Sequence, residues 1–301
     1  MALVKGQTYP VVGKYGMVYI NSLSIPSAED EFDYLCHNTL TCYQSYYPFG
    51  VFGDKGFSSV SFAPVTVFGG GNGSGKSTLL NVIAQKTDAK RHSMFSKGAF
   101  FEDYVSLCRL ETEKEAERCE ILTSDDVFDI QLDIRAVNNG IDNRRNLLFE
   151  KYSNDLKSRE TLSGLDDYER WKDSFEAKRL TKSEYIRRRT EKNPEIRSNG
   201  ESAMKYFVDR IESGGLYFLD EPENSLSVPR QKELAEFIYS SARFFSCQFI
   251  IATHSPIFFS IRGARIYDLG SSPVKVKKWT EMENVRAYFE FFDEHREEFE
   301  K

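Results

Sequence analysis

The sequence predicts an α/β protein with a mixed central sheet flanked by helices. Three segments predict it. One is a short apolar run, Val65–Phe68, that passes through a glycine loop into the apolar-faced helix Leu79–Ala84. The others are the runs Leu216–Leu219 and Gln248–Ala252, each ending in polar residues. Apolar runs of this length, bounded by polar or glycine-rich breaks, read as buried strands. In open α/β sheets ligands gather beyond the carboxyl ends of the strands, so the polar tips mark a site.

The glycine loop is Gly70-Gly71-Asn72-Gly73-Ser74-Gly75-Lys76-Ser77-Thr78, which fits G-x-x-x-x-G-K-[ST] without a mismatch. A triphosphate offers no apolar handle, so it must be wrapped in backbone N–H groups and met by a cation. Glycines let the backbone curl that closely. Lys76 is expected to reach the β- and γ-phosphates, Ser77 to bind Mg²⁺, and the helix to present its positive end to the anion. The flanking strand and helix are the setting this loop requires.

Leu216-Tyr217-Phe218-Leu219-Asp220-Glu221 supplies the second part. Asp220 is expected to hold the Mg²⁺ shell, and Glu221 to orient and deprotonate the attacking water. Gln248–Ala252 leads to Thr253-His254-Ser255-Pro256, where His254 is placed to reach a γ-phosphate. Ser198-Asn199-Gly200-Glu201 precedes an amphipathic helix over about 203–211, with Met204, Phe207, Val208 and Ile211 along one side. Ser198 and Gly200 at that helix start read as a second anion site or as an ordinary cap.

Composition bounds the rest. The 301 residues carry 40% hydrophobic and 29% charged residues and a net charge of −6, which excludes a generic nucleic-acid glue. No apolar run reaches the length of a membrane span and the first residues do not resemble a signal peptide, so a cytoplasmic protein is expected. Cys36, Cys42, Cys108, Cys119 and Cys247 show no paired C-x-x-C spacing, and ordinary thiols are expected.

Together these segments resemble the ABC-type ATPases, a branch of the P-loop NTPases. Gly70–Thr78 is similar to their Walker A, Leu216–Glu221 to Walker B with its glutamate, and His254 to the switch histidine. Ser198–Glu201 resembles a degenerate signature, with Arg197 for the leading leucine and Asn199 for a glycine. Glu223-Asn224-Ser225-Leu226-Ser227 resembles the D-loop, with Ser227 where aspartate is frequent. The wording Asp220–Leu226 and Ala252–Pro256 is similar to the stand-alone bacterial "AAA family" branch related to RecF, SMC and the OLD nucleases. The resemblance implies Mg-dependent ATP hydrolysis in a head-to-tail homodimer, with Ser198 and Gly200 acting on ATP held by the other subunit. It also implies a link to DNA repair or phage defence. A switch for a protein effector and the ATP-binding subunit of a transporter are the competing readings. It makes Arg91, after the first helix, a candidate nucleotide contact, otherwise a solvated surface arginine. Gln131 is a candidate Q-loop glutamine, otherwise a strand residue. Tyr47, Phe49 and Phe52 are candidate adenine platforms, otherwise core.

One ATPase domain is expected over residues 1–301, its core formed by 1–97 and 196–301, with 98–195 an inserted, mostly helical lobe. Met17–Ile20 and Val60–Phe62 read as strands of an N-terminal antiparallel sheet. Within the lobe, Lys178–Arg197 holds eight basic residues against three acids, a candidate face for DNA or a partner protein. The pairs Asp125-Asp126 and Asp166-Asp167 read as surface acids. Ala264–Leu269 and Val274–Trp279 read as a strand pair, and Glu281–Lys301 as a closing helix with Val285, Tyr288, Phe289 and Phe292 inward.

Overall fold

The computed structural model describes residues 16–38, 42–43, 45–157, 168–194 and 199–300. The chain divides into two compact units, Met1–Val127 with Asn199–Lys301, and Phe128–Ser198. The first unit begins with β1 (Ile20–Ser24), α1 (Ala28–His37), β2 (Ser59–Ser61), β3 (Val65–Gly69), α2 (Lys76–Lys86), α3 (Phe101–Leu107), β4 (Arg109–Thr112) and β5 (Arg118–Thr123). Helix α4 (Ser124–Lys157) leads into the second unit, which adds α5 (Tyr168–Arg179) and α6 (Lys182–Arg187). The first unit resumes with α7 (Asn199–Arg210), β6 (Gly215–Asp220), α8 (Val228–Phe244), β7 (Gln248–Ala252) and α9 (Pro256–Phe259). It closes with β8 (Arg265–Asp268), β9 (Lys275–Lys277), α10 (Glu283–Glu294) and α11 (Arg296–Phe299).

The central sheet has the order β5-β6-β7-β3-β8-β9. Its first five strands run parallel and β9 returns antiparallel to β8, so the sheet is mixed. Strands covered on both faces read as continuous apolar runs, and β3, β6 and β7 are buried throughout save Asp220 at the tip of β6. Their residues alternate between two cores. Phe68, Leu216, Phe218 and Ile250 pack with Leu79, Leu80, Val82 and Ile83 of α2 on one face. Val67, Tyr217, Leu219 and Ile251 pack with Ala203 and Phe207 of α7 and Leu234 and Ile238 of α8 on the other. Ala252 registers with both Phe68 and Asp220, which brings the carboxyl ends of β3, β7 and β6 level.

A three-stranded antiparallel sheet, β2-β1-β4, joins this core. Fully buried Gln248 pins the two together. Its Oε1 accepts from the Tyr19 and Ile20 amides at 2.7 and 3.0 Å, and its Nε2 donates to the Ile20 and Ala63 carbonyls at 3.0 and 3.2 Å. A buried amide so paired avoids the cost of unmet polar groups.

Several expectations need correction. The first strand starts at Ile20, where pairing with β4 begins, rather than running over Met17–Ile20. Residues 98–127, expected in the helical lobe, belong to the first unit because β4 pairs with β1 and β5 with β6. Gln131 lies in helix α4, neither in a strand nor in a loop. On α7 the buried stripe is Ala203, Tyr206 and Phe207, while Val208 faces outward. On α10 only Val285 is buried, and Tyr288, Phe289 and Phe292 are all more than half exposed because only the first turn reaches the core beside Met282.

The second unit has a small core of Ala177, Tyr185 and Ile186, flanked by Leu148, Tyr152 and Leu180. Polar contacts brace it. Tyr185 Oη donates to Asp155 at 2.9 Å, and Arg189 reaches Asp173 at 2.7 Å and Glu176 at 2.8 Å. Thr181 and Glu184 form a reciprocal cap on α6.

Candidate functional site

The glycine loop joins β3 to α2, and two glycines carry its shape. Gly70 has φ 141°, and a Cβ there would come 2.7 Å from Ser74 Oγ. Gly75 has φ 97°, and a Cβ would strike Val51 and Phe52 at 2.8 and 2.9 Å. Phe52 is thus packing beneath the loop, fully buried, and Phe49 is buried in a stack with Tyr34. Of the three aromatic candidates only Tyr47 keeps substantial exposure, with its hydroxyl 2.6 Å from Thr78 Oγ1. A residue that sequence reasoning passed over braces the loop from behind: Lys55 Nζ donates to the Ser74 carbonyl at 2.7 Å and the Leu269 carbonyl at 3.0 Å.

Lys76 is buried, with its ammonium donating to the Gly70 and Gly71 carbonyls at 3.0 and 3.1 Å. The same nitrogen lies 3.9 Å from Glu221 Oε1. Ser77 Oγ donates to Asp220 Oδ1 at 2.8 Å. Asp220 is pushed up to about 6, chiefly by burial and further by the charge of Glu221, with Ser77, Arg91 and Lys76 opposing. A carboxylate with so few donors fits a cation partner.

Glu221 follows the strand with φ 44°, the left-handed region, its amide donating to the Ala252 carbonyl at 2.8 Å. Such strain in a non-glycine residue persists only where the surroundings hold it. Asn224 Nδ2 donates to Glu221 Oε2 at 3.0 Å. His254 extends from β7, its Nδ1 3.9 Å from Glu221 Oε1 and 3.2 Å from Glu223 Oε1.

Ser77, Asp220, Glu221 and Arg91 line one cavity of about 290 Å³ with Asn81, Asp125 and Asn224. Arg91 donates to Asn81 Oδ1 and stands 4.2 Å over the Phe95 ring. Burial lowers its proton affinity, and Asp220 and Asp126 only partly oppose that.

Asp126 is a correction. It is buried rather than a surface acid, and accepts from the Ser93 amide at 2.8 Å, the Thr123 amide at 2.9 Å and Tyr206 Oη at 2.8 Å. Burial pushes its carboxyl up, but these donors outweigh burial and hold it below the usual range. Asp125 beside it is exposed. Asp166, Asp167 and Ser198 lie outside the described residues. Gly200 sits in the first turn of α7 and is not among the described residues that line the cavity.

A family model described as "ABC transporter" matches residues 59–224, more than half of the chain. The chain belongs to this family, the ABC-type ATPases. The protein is therefore an ATPase, which binds and hydrolyses ATP on a P-loop NTPase fold. A second model, described as "AAA domain, putative AbiEii toxin, Type IV TA system", matches residues 206–260.

Solved structures that the chain is similar to include the Smc head domain of Pyrococcus furiosus bound to the C-terminal domain of ScpA. Identity is 13%, over 92% of this chain and 99% of that one, at a TM-score of 0.41. An SmcHead bound to the C-winged helix domain of ScpA is 16% identical over 86% and 98%, also at 0.41. The SMC head domain of Thermotoga maritima is 13% identical over 87% and 99%, at 0.35. No curated protein matches the chain. Among the described residues no helix is long and apolar enough to cross a membrane.

Proposed function

We propose that this ATPase works as an Mg²⁺-dependent, head-to-tail dimer whose ATP state drives a DNA-linked process, in repair or phage defence. The observation that carries the hydrolytic half is the convergence of Lys76, Ser77, Asp220, Glu221 and His254 beyond the carboxyl ends of the central strands β3, β6 and β7. The Walker loop from Gly70 to Thr78 would hold the phosphates, with Lys76 on the β- and γ-phosphates. Ser77 and Asp220 would hold Mg²⁺, which would supply positive charge against the phosphate oxygens. Glu221 would orient a water and accept its proton as that water attacks the γ-phosphorus and the bond to the β-phosphate breaks. His254 would contact the γ-phosphate, and Arg91 the nucleotide from the cavity wall. Gly200, in the first turn of α7, would meet ATP on another subunit at the helix start, and Ser198, two residues earlier in the sequence, would act with it. The whole chain is read as one ATPase domain that carries an inserted helical unit.

The DNA-linked half rests on the second unit. Lys178, Arg179, Lys182, Arg187 and Arg188 are exposed there, although Arg189 is tied into its own acids. The match to the toxin–antitoxin AAA family supports the defence branch. The test is ATP turnover of the full chain with and without duplex and single-stranded DNA, alongside light scattering of Glu221→Gln with Mg-ATP. DNA stimulation and an ATP-dependent dimer are expected. Turnover indifferent to DNA would remove the DNA link, and a monomer under all conditions would remove the composite site.

A second reading, an ATP-gated switch for a protein effector, is favoured by one observation. Tyr288, Phe289, Phe291 and Phe292 stand exposed together on α10, and clustered exposed aromatics mark protein-binding surfaces.

A further inference from the structure

Behind His254 stands a second acid whose burial calls for a reason. Glu223 is 7% exposed. Its Oε1 accepts from Thr253 Oγ1 at 2.6 Å and from the His254 amide at 2.7 Å, and lies 3.2 Å from His254 Nδ1. Its Oε2 is buried with no hydrogen-bond partner among the described residues. Tying Thr253 to the His254 backbone needs only an acceptor, which a neutral glutamine would provide. A carboxylate left half unpaired in the interior is costly, so its charge requires another use.

We propose that Glu223 is a positioning residue for ATP hydrolysis: its carboxylate accepts Nδ1–H of His254, turns Nε2 toward the γ-phosphate and balances the charged ring. This rests on the reading of His254 as a γ-phosphate contact. Phosphate oxygens only accept hydrogen bonds, so Nε2 must carry hydrogen in the ATP complex. Nδ1 keeps its own because Glu223 accepts it. In the ATP complex both ring nitrogens then act as donors, Nδ1 to Glu223 and Nε2 to the phosphate. The partner on one nitrogen sets what the other can do. Two other neighbours frame the ring. Glu221 Oε1 is 3.9 Å from Nδ1, but it shares its charge with Lys76 at 3.9 Å. From α10 comes the neutral Asn284, which donates to the His254 carbonyl.

The test is steady-state ATP turnover by the full chain for wild type, Glu223→Gln, His254→Ala and the double variant, with ¹⁵N signals of the His254 ring, assigned by their loss in His254→Ala. The His254→Ala change is expected to lower kcat about 10²-fold, the scale for losing one donor to developing charge. Glu223→Gln keeps the shape and is expected to cost about 10-fold with KM for ATP nearly unchanged, the scale for a supporting carboxylate. The double variant should be no slower than His254→Ala. Nδ1 should be protonated in the free protein, and both ring nitrogens once magnesium adenylyl imidodiphosphate is bound. A Glu223→Gln cost that persists in the His254→Ala background would show that Glu223 serves only Thr253 and the backbone, and would overturn the inference. So would an unprotonated Nδ1 in wild type, a result that stands even if Glu223→Gln fails to fold. Wild-type turnover by His254→Ala would instead remove the reading of His254 itself.

Discussion

Two neighbouring strands, β5 and β6, are each followed closely by paired acids, Asp125-Asp126 in the first turn of α4 and Asp220-Glu221 at the tip of β6, and the two pairs are used in opposite ways. Thr123 registers with Asp220, and Asp126 follows Thr123 by three residues, in the first turn of α4. Burial raises both carboxyls. At Asp126 the Thr123 and Ser93 amides and the Tyr206 hydroxyl outweigh burial, and the group is held low. At Asp220 one hydroxyl, from Ser77, is too little against burial and the neighbouring Glu221, and the group rises to about 6. The donors around a carboxylate, more than its depth, separate a structural clamp from a group built to receive a cation.

The largest effect that tests this contrast is on turnover. Asp220→Asn is expected to lower kcat by about 10²-fold or more while the protein stays folded, and Glu221→Gln by roughly 10²–10⁴-fold, the scale of lost general-base help. Asp126→Asn should do the reverse. It should unsettle the fold by about 1–3 kcal/mol, as expected when donors lose a buried charged acceptor, and reduce turnover far less than Asp220→Asn. Urea unfolding and ATP turnover on the three variants check this. If Asp220→Asn proved the less stable protein and Asp126→Asn the less active one, the contrast would be reversed.

The pH dependence sharpens the same contrast without touching turnover, and is measured free of divalent cations. Asp220 binds its proton more tightly folded than unfolded, where a carboxyl titrates near about 3.9. Its favourable contribution is fully present below about pH 4 and is lost as pH rises through about 6. Asp220→Asn should therefore match or exceed wild type at pH 7, by up to about 3 kcal/mol, and lose that advantage between pH 6 and 4. Asp126 is depressed, so its contribution is present above the ordinary carboxyl value and lost as pH falls through its lower folded value. The Asp126→Asn deficit should hold from pH 7 to about 4.5 and shrink only below that. Parallel pH profiles for the two variants would contradict the assignment.

How much of this was legible in the sequence follows from the range of the forces involved. Gly70–Thr78 and the strands Val65–Phe68, Leu216–Leu219 and Gln248–Ala252 could be read directly, because loop chemistry and burial on both faces leave a local imprint. Asp126 could not, since only the Thr123 amide among its donors is local, and the others come from Ser93, 33 residues back, and Tyr206, 80 residues on. Glu223 could be seen only as part of a D-loop-like run, because its burial depends on Thr253 and His254, which follow the neighbouring strand β7. The helix ending the fold misled in the other direction. Its periodicity is amphipathic, but an apolar face says nothing about whether the fold covers it, and past Val285 this fold leaves Tyr288, Phe289 and Phe292 outside. The strand expected at Met17–Ile20 lies a few residues later because pairing partners, not local propensity, set its ends.

The smallest effect isolates a single donor. Tyr206→Phe removes the hydroxyl that α7 contributes to Asp126 and leaves the Ser93 and Thr123 amides in place. The ring of Tyr206 keeps its packing beside Phe207, so the change reports the hydrogen bond and little else. The expected loss is about 1 kcal/mol at pH 7, near the net value of one buried hydrogen bond, read from the urea midpoint at unchanged slope. With one donor fewer the Asp126 carboxyl should move back toward its ordinary value. The loss should fade below about pH 4, where that carboxyl takes up a proton in either protein. In an Asp126→Asn background the same substitution should cost less, since the two groups share one interaction. A Tyr206→Phe loss as large as that of Asp126→Asn would mean that the hydroxyl alone holds the carboxylate low, and that the two backbone donors merely accompany it.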